Sequence, residues 1–271
     1  MKTDRLVNGK ATDEISIDDR GLQYGDGVFE TIAVKNGALL CWADHIERLS
    51  ISCVQLNIPF SDIPTLKQEC EQLAKDHELA VLKIMITRGQ GGRGYAPPEN
   101  PVPTRIISIY PWPKYSRDNH ELGISTIVCQ TRYGASPALA GLKHMNRLEQ
   151  VIARAECIDA YVDEGIVLDL NDNVIEGTMT NLFMVVDDQL MTPDLSLCGV
   201  KGVIRQKIID HFPAISIQSI SIDMLFKAQE VFLCNSLIGV WPVTKIDEQE
   251  FRIGSASSDA IKLLTRQGYI V

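Results

Sequence analysis

The chain has 271 residues, of which 45% are hydrophobic, so it can bury a sizeable core and is long enough for two domains. Its 35 acidic residues outnumber its 26 basic ones, and the net charge of −9 argues against general affinity for nucleic acid or anionic membranes. An anionic ligand would therefore need a local cluster of arginines and lysines.

The seven cysteines are scattered and form no Cys-x-x-Cys pair, which favours reduced thiols in a cytoplasm over a disulfide framework. The N-terminus carries no long apolar run, and no stretch approaches the roughly 18 apolar residues of a membrane span. We therefore expect a soluble cytoplasmic protein without a signal peptide.

The first part of the chain contains short runs in which apolar and polar residues alternate, as in strands with one buried face. These runs lie at residues 5–8, 15–17, 80–87 and 105–110. A glycine-rich loop over residues 19–27 leads into another strand, which reaches Val34 and turns at the Asn36-Gly37 pair.

Two helices are expected between those strands. Asp44 and Glu47 resemble a capping box, and the apolar residues that follow recur at helical spacing, which predicts one buried face. That face comprises Ile46, Leu49, Cys53 and Leu56. Arg48 falls outside it and, from spacing alone, is a solvated surface arginine. A second helix is expected after Ser61, and its buried residues are Leu66, Cys70 and Leu73.

Residues 88–95 contain four glycines and two arginines, Arg88 and Arg93. Glycines let a backbone approach a ligand closely, and arginines in such a loop can clamp carboxylates or phosphates. No Gly-Lys-Ser/Thr closes the loop, so it does not match a Walker motif. A flexible hairpin and an RGG-type nucleic-acid segment are the alternatives, and the acidic composition disfavours the second.

A change of domain is indicated by the proline-rich residues 111–113 and the polar run that follows. We expect a small N-terminal domain over residues 1–114, a linker over 115–121 and a larger domain over 122–271. Strand and helix patterns mix in the larger domain without a regular βαβ rhythm, which favours an α+β fold over a doubly wound one. Its expected strands lie at 124–131, 165–170, 174–176, 182–186, 189–192, 230–235 and 239–246, and its closing helix at 257–267.

One lysine, Lys143, lies between a loop-like segment at 134–137 and an amphipathic helix that ends near Ala160. The apolar residues of this helix recur at steps of three and four and predict one buried face. They are Leu148, Val151, Ile152, Ala155 and Ile158. A desolvated lysine at the edge of a core can attack a carbonyl and form a Schiff base. Spacing alone favours the alternative, a solvated lysine ahead of a helix.

Gly202 precedes another expected helix, whose first residues are Val203 and Ile204. Amides at the start of a helix can bind a phosphate, although every helix that begins after a glycine offers the same arrangement.

Several motifs spread over nearly the whole chain follow one another in a fixed order. They are Gly25-Asp26-Gly27-Val28-Phe29-Glu30, His45-Ile46-Glu47-Arg48-Leu49, Lys143, Glu176-Gly177 with Asn181-Leu182-Phe183, Gly202-Val203-Ile204-Arg205 and Asn235-Ser236. In this order they resemble the fold-type IV pyridoxal-phosphate enzymes, the family of branched-chain and D-amino-acid aminotransferases and aminodeoxychorismate lyase. The resemblance implies a two-domain α+β fold, with a small N-terminal α/β domain and a larger β-barrel-like domain, and a homodimer.

The segments at residues 88–95 and 141–150 are similar to the lyase branch of this family rather than to its aminotransferases. The resemblance therefore implies conversion of 4-amino-4-deoxychorismate to 4-aminobenzoate and pyruvate, which supplies a folate precursor. A branched-chain or D-amino-acid aminotransferase is the alternative enzyme. A noncatalytic protein that binds RNA or a phosphate ligand through its arginine-glycine loop is the alternative of another class.

Carried over residue by residue, the resemblance makes Lys143 the Schiff-base lysine and general base. Glu176 would face the pyridine nitrogen of the cofactor and keep it protonated. Arg48 would bind the cofactor phosphate, which reverses its interpretation from spacing alone. The remaining phosphate ligands would be the amides of Val203 and Ile204 and the hydroxyl of Ser236.

Arginines are the expected partners of the two substrate carboxylates. Arg93 is the first candidate; Arg88 and Arg147 follow, and either is alternatively a surface or structural ion pair. The aminotransferases place a tyrosine shortly after the lysine, where this chain has Asn146-Arg147. The partner of the phenolic oxygen of the cofactor therefore stays open, and no metal site is expected.

Overall fold

The structure is a computed structural model that describes residues 4–116, 118–212 and 214–269. The chain divides into two compact units. Unit 1 comprises Met1–Pro113 and Leu142–Asn146, and unit 2 comprises Lys114–Gly141 and Arg147–Val271. The sequence places Lys143 in the larger domain, whereas its five-residue segment belongs to unit 1. The segment belongs to unit 1 because its backbone pairs with residues 27–29 of that unit. Such pairing between distant residues cannot be read from local periodicity.

Unit 1 is built on an antiparallel sheet, in which the described residues form five strands in the order β1-β5-β4-β2-β3. The strands are β1 (Arg5–Val7), β2 (Gly27–Lys35), β3 (Ala38–Leu39), β4 (Leu79–Thr87) and β5 (Thr104–Pro111). The helices are α1 (Arg20–Tyr24), α2 (Trp42–Gln55) and α3 (Ile63–Ala74). Residues 15–17, expected as a strand, are not one; they precede Asp19, whose side chain caps α1.

Helices α2 and α3 cover one face of this sheet and form a core with it. The residues expected to be buried on these helices are buried, except that Leu56 is partly exposed. Helix α2 begins at Trp42 rather than at Asp44, because Cys41 turns the chain in the left-handed conformation with φ of 52°. The amphipathic prediction is therefore confirmed for both helices, and the capping prediction for α2 is wrong.

Unit 2 contains a mixed sheet that curls into a half-barrel. Its elements are α4 (Asn119–Leu122), β6 (Ile124–Tyr133), α5 (Leu148–Asp159), β7 (Glu164–Asp169), β8 (Val174–Gly177), β9 (Asn181–Val186), β10 (Gln189–Pro193), α6 (Val203–His211), β11 (Ser216–Gln218), α7 (Ile222–Phe226), β12 (Glu230–Asn235), β13 (Gly239–Ile246), β14 (Gln249–Glu250) and α8 (Ser255–Arg266). The described strands, apart from β14 beside β13, follow the order β11-β10-β9-β12-β13-β6-β7-β8. Strands β6–β7, β6–β13 and β10–β11 pair in parallel.

The described residues of the segment expected as a linker, 115–116 and 118–121, belong to unit 2. The Tyr115 ring contacts Trp241 edge-on with centroids 5.1 Å apart, and α4 begins at Asn119. Residue 117 lies outside the described residues. Among the residues that the structure describes, no helix is long and apolar enough to cross a bilayer. All seven cysteines are buried free thiols.

Helix α5 does not bury the face that the sequence predicts. Its large apolar side chains Leu148, Val151, Ile152 and Ile158 are 57–76% exposed, and Ala155 is exposed as well. The residues that face the core are the small Ala153 and Cys157. At Gly165 on β7, a Cβ atom would lie 2.6 Å from the Cys157 Sγ atom. Small residues on both elements therefore allow a close helix–sheet contact, which selects the other face of α5.

Candidate active site

The segment around Lys143 extends the edge of strand β2 in unit 1. The Phe29 amide donates to the Lys143 carbonyl, and the Met145 amide donates to the Gly27 carbonyl, both at 2.9 Å. Val28 and His144 form the bridge between these bonds. Opposite residues of an antiparallel pair share a face, so Lys143 and Met145 point away from the face that carries Val28.

Backbone pairing with β2 fixes the position of the Lys143 Cα atom, and an aromatic ring contacts the amine at the end of its side chain. The Lys143 Nζ atom lies 4.6 Å from the centroid of the Phe29 ring, within cation–π distance. A Cβ at Gly27 would lie 2.7 Å from both the Met145 Sδ atom and the Ile86 carbonyl oxygen, so this approach requires glycine. Lys143 is thus half-buried and held by β2, unlike a solvated lysine ahead of a helix.

A buried charged group lies on the other face of β2. The Glu30 carboxylate is fully buried and accepts hydrogen bonds from Arg48 Nε at 2.8 Å and Arg48 Nη2 at 2.5 Å. Its Oε2 atom also lies 2.7 Å from His45 Nδ1. Arg48, assigned to the surface by spacing alone, therefore has one edge of its guanidinium bound to a core carboxylate.

The protonation states of this group follow from its contacts. Burial by itself raises the pKa of Glu30, but the charge and hydrogen bonds of Arg48 and then of His45 outweigh it, and the pKa falls from 4.5 to about 2. Burial lowers the pKa of His45 despite the nearby carboxylate. A neutral His45 must carry its proton on Nδ1 to donate to Glu30. Its Nε2 atom is buried without a partner among the described residues.

Unit 2 holds a second carboxylate, Glu176, at the end of β8. It is buried, and its Oε2 atom accepts from the Val200 amide at 2.9 Å and from Asn181 Nδ2 at 3.2 Å. Asn181 Nδ2 also donates to the Val200 carbonyl at 2.8 Å. These hydrogen bonds fix the orientation of the Glu176 carboxylate. The sequence singles out Asn181 as part of a motif without assigning this role to it.

The start of helix α6 adjoins the same asparagine. A Cβ at Gly202 would lie 1.9 Å from Asn181 Oδ1, so only glycine fits there. No side chain of the described residues caps the helix, which leaves the amides of Val203 and Ile204 as uncapped donors at its N-terminus. The buried Arg205 anchors the helix, since its Nη2 atom donates to the Pro193 carbonyl at 2.9 Å.

Ser236 lies in the turn after β12. The Asn235 side chain shapes this turn, because its Oδ1 atom accepts from the amides of Leu237 at 2.8 Å and Ile238 at 2.9 Å. Ser236 is half-buried within the turn. Unit 2 therefore contains Glu176, the α6 amides and Ser236 of the expected cofactor site, whereas Lys143 and Arg48 belong to unit 1.

The three arginines expected to bind substrate have different surroundings. Arg88 donates through Nε and Nη2 to Asp26, at 2.8 and 3.0 Å, and through Nη1 and Nη2 to the carbonyls of Asn57 and Leu56. These contacts give Arg88 a structural role, the alternative that the sequence leaves open. Arg93 is exposed in its loop, and Arg147 is half-buried in unit 2 before α5.

Arg20 is a residue of this region that the sequence does not single out. Its Nε atom donates to Asp26 at 2.8 Å, and its two Nη atoms donate to the carbonyls of Gly94, Tyr95 and Ala96. Asp26 thus joins two arginines, and although burial raises its pKa, Arg88 and Arg20 bring it below its usual value. The glycine loop that carries Arg93 is therefore fixed to α1 through Arg20.

A cavity of about 420 Å³ lies over unit 1. Met145 from the lysine segment lines it, together with Arg5, Met85, Ser108 and Tyr110 from the strands of the sheet. Its size is within the range of small-molecule sites.

The amino-transferase class IV family matches residues 27–246, and the chain belongs to that family. The chain is 40% identical to the aminodeoxychorismate lyase of Vibrio harveyi over 91% of its length and 93% of that protein. A putative branched-chain-amino-acid aminotransferase of Methanocaldococcus jannaschii is 32% identical over 89% and 87% of the two chains.

Solved structures have the same fold. The crystal structure of 4-amino-4-deoxychorismate lyase from Pseudomonas aeruginosa is 42% identical, covers 97% of this chain and 98% of its own, and superposes with a TM-score of 0.92. The branched-chain amino acid aminotransferase of Escherichia coli, at 24% identity and a TM-score of 0.86, covers 97% of this chain and 93% of its own. The expected fold-type IV architecture is therefore confirmed.

Enzymes of this class depend on pyridoxal phosphate, and the residues present fit that cofactor. Lys143 supplies an amine, Glu176 supplies an oriented carboxylate, and α6 supplies uncapped amides for a phosphate. Glycine is required at position 202, ahead of these amides, because the Asn181 side-chain oxygen occupies the place of a Cβ atom.

Proposed function

We propose that the chain is a pyridoxal-phosphate-dependent lyase that converts 4-amino-4-deoxychorismate to 4-aminobenzoate and pyruvate. Its near full-length similarity to two proteins named as this lyase, at 40% and 42% identity, carries the proposal. The aminotransferases matched here are more distant, at 32% and 24%. The segments at 88–95 and 141–150, which resemble the lyase branch, point the same way.

Pyridoxal phosphate, when bound, supplies an electron sink for the negative charge that forms when a substrate C–H bond is broken. We assign the removal of the C4 proton to the Lys143 amine, which acts as general base. The C3–O bond to the enolpyruvyl group then breaks with the electron pair left by that proton, the ring becomes aromatic, and the released enolpyruvate becomes pyruvate. Aromatisation favours the products, so the protein mainly has to orient the reactants.

The remaining residues hold the reactants in this proposal. Glu176, oriented by Asn181 and the Val200 amide, keeps a proton on the pyridine nitrogen. The phosphate is bound by Arg48, by the amides of Val203 and Ile204, and by Ser236.

Arg93 stays the first candidate for a substrate carboxylate, and Arg147 the second. Arg93 is exposed on a loop that Arg20 anchors, so it is both reachable and positioned. Arg88 is not assigned to substrate, because its donors bind Asp26 and two backbone carbonyls.

Product analysis with aminodeoxychorismate as sole substrate tests the reaction. We expect 4-aminobenzoate and pyruvate in equal amounts without a 2-oxo acid, and a requirement for such an acceptor would instead establish an aminotransferase. Lys143→Ala should abolish both turnover and the yellow cofactor absorbance. A colourless wild-type protein that cannot be reconstituted with pyridoxal phosphate would contradict both enzyme assignments and favour a binding protein.

We also propose that the protein is a cytoplasmic homodimer that uses the exposed face of α5 as part of its interface. That face presents Leu148, Val151, Ile152 and Ile158 to the surface. Contiguous exposed apolar side chains mark interaction sites. Homodimer interfaces are more apolar than the interfaces of non-obligate complexes. The buried free thiols support a reducing compartment.

Three of the charged side chains of α5 bind groups of their own unit, and Asp159, the last residue of the helix, is exposed. Glu149 accepts from the Gly134 amide, Glu156 binds Thr131, and Arg154 binds Glu164, all within unit 2. A two-fold interface repeats one patch on both copies, so an apolar face without such charges is self-complementary.

A further inference from the structure

We propose that Glu164 is a positioning residue for Glu176: its buried carboxylate holds the turn at residues 177–180 in the shape that brings Asn181 against Glu176. This inference rests on the proposed function, in which Glu176 keeps a proton on the pyridine nitrogen of the cofactor. It gives a role to a buried carboxylate that the proposed reaction does not use.

The turn at residues 177–180 joins the two residues of the expected nitrogen site. Glu176 lies on β8, and Asn181 begins β9. Between them, the Gly177 amide donates to the Thr180 carbonyl at 2.7 Å and closes the turn. Asn181 Nδ2 then donates to Glu176 Oε2 at 3.2 Å. The backbone of the turn therefore sets the distance between these two side chains.

Glu164, at the start of β7, supplies hydrogen-bond acceptors to this turn. Its Oε1 atom accepts from the Thr178 amide at 3.1 Å and from the Thr178 hydroxyl. Its Oε2 atom accepts from the Met179 amide at 3.2 Å and from the Thr180 hydroxyl at 3.1 Å. One carboxylate thus binds three consecutive residues, which fixes the conformation of the turn.

The turn needs these acceptors because it is buried. Turns usually lie at the surface, where water satisfies their backbone amides. Here Thr178 is 7% and Thr180 is 4% exposed, and Glu164 is fully buried. A Cβ at Gly177 would lie 2.1 Å from Thr180 Oγ1, so the turn also requires glycine at that position. An apolar residue at position 164 would leave buried amides without acceptors, which is costly.

The connection of two strands does not by itself require this arrangement. A surface turn can join two strands without a buried charge, whereas a buried carboxylate carries a desolvation cost that its partners must offset. Arg154 Nη1, 3.3 Å from Glu164 Oε1, is one such partner. Burial of the turn keeps Glu176 and Asn181 buried on either side of it. The carboxylate at position 164 is therefore better explained by the pair that it positions.

Glutamine cannot reproduce both sets of contacts that Glu164 makes. A side-chain amide has an acceptor on one side and donors on the other. Both oxygens of Glu164 face backbone amide donors, those of Thr178 and Met179. Either orientation of a glutamine therefore places donors against a donor and displaces the turn. Glu164→Gln changes these contacts with little change in side-chain volume.

Unit 2 also contains a matched control, Glu230 on β12. Glu230 is 4% exposed, and its oxygens accept from the amides of Ala256 at 3.1 Å and Ser257 at 2.7 Å. These amides belong to the start of α8, which carries no residue of the proposed site. Glu230→Gln therefore disturbs a comparable buried carboxylate without touching the turn at residues 177–180.

The experiment compares the affinities of the apo-protein for pyridoxal phosphate and for deazapyridoxal phosphate, whose ring has a C–H group in place of the pyridine nitrogen. The absorbance of the adduct at Lys143 measures both affinities. A charge-assisted contact to the protonated nitrogen should make wild type prefer pyridoxal phosphate at least about tenfold. We expect Glu164→Gln to lower this preference at least about threefold and Glu230→Gln to leave it unchanged.

A purely structural role for Glu164 gives a different result. It would weaken binding of both ligands equally and leave the preference unchanged, because the two ligands differ only at the ring nitrogen. A preference that falls less than about threefold in folded Glu164→Gln therefore overturns the inference. Thermal denaturation of each apo-variant identifies those that fold.

Two variants of Thr180 replace Glu164→Gln if that protein does not fold. Thr180→Val removes the hydroxyl that donates to Glu164, and Thr180→Ser keeps a hydroxyl. The valine variant should lower the preference for pyridoxal phosphate, and the serine variant should not. Equal preferences in these two variants overturn the inference.

Failure of the proposed function is distinguished by a variant of Glu176 itself. If Glu176→Gln keeps the wild-type preference, or if wild type has no preference, the assignment of Glu176 to the pyridine nitrogen has failed, and the inference fails with it. A wild-type protein that binds neither ligand contradicts the cofactor itself.

Discussion

Helices α2 and α5 carry the same kind of sequence pattern but bury it differently. Both have apolar residues at steps of three and four, and both are expected to cover a core. Helix α2 buries Ile46, Leu49 and Cys53 against the sheet of unit 1. Helix α5 turns Ala153 and Cys157 inward and leaves its large apolar residues exposed. Periodicity thus identifies the apolar face of a helix, but it does not show whether residues of the same chain will cover that face.

The largest expected effect is on the buried face of α2. Leu49 is 1% exposed within the core of unit 1. We expect Leu49→Ala to reduce the free energy of unfolding by about 2–5 kcal/mol, because it removes apolar contacts and leaves a cavity. Urea denaturation measures this change. A loss below about 1 kcal/mol would mean that α2 is no more tightly packed than α5.

Lowering the pH should weaken the ion pair between Arg48 on α2 and Glu30 on β2, and the free energy of unfolding should fall as a result. The pKa of Glu30 is depressed from 4.5 to about 2, so its stabilising contribution is present above pH 4.5 and is lost as the pH falls towards 2. The full contribution is roughly 3 kcal/mol. We expect the stability of Glu30→Gln, measured by urea denaturation across this pH window, to depend less on pH than that of wild type. Equal slopes would show that Glu30 is not ionised in the way its contacts require.

A smaller effect on folding, but a clear one on association, is expected at α5. Val151 and Ile152 are both more than half exposed. Replacing both with serine should change the free energy of unfolding of the separated subunit by no more than about 0.5 kcal/mol per site. The same double variant should weaken self-association at least about tenfold, because apolar contacts across the interface are lost. Sedimentation at several protein concentrations distinguishes dimer from monomer, and a double variant as dimeric as wild type would exclude α5 from the interface.

The smallest effect is expected at an exposed valine of α2. Val54 is 76% exposed, comparable with Val151 at 62%. Val54→Ser should alter neither the unfolding free energy, within about 0.5 kcal/mol, nor the sedimentation behaviour. It is therefore the matched control for the α5 variant. A shift to monomer in Val54→Ser would place α2 in the interface and remove the difference between the two helices.

Several residues of the proposed site stand out in the sequence because they belong to ordered motifs. Lys143, Glu176 and the start of α6 are in this group, and the structure gives each a defined environment. The contacts of the arginines could not be predicted. Arg88 and Arg93 occur in one glycine-rich loop, yet the first is bound to Asp26 and the second is exposed. The residue types of the loop show that its arginines could bind an anionic ligand. They do not show that Asp26, a carboxylate of the same chain, already binds one of them.

The sequence by itself determined most of the longer strands and helices, the apolar residues of helices α2, α3 and α5, and the order of the motifs that identify the family. These are local properties, set by side-chain spacing and backbone preference. Only the tertiary structure decided that the Lys143 segment pairs with β2, that Glu30 binds Arg48, and that α5 leaves its large apolar face uncovered. Each of these depends on residues distant in sequence, whose proximity is fixed by packing of the whole unit and not by any local pattern.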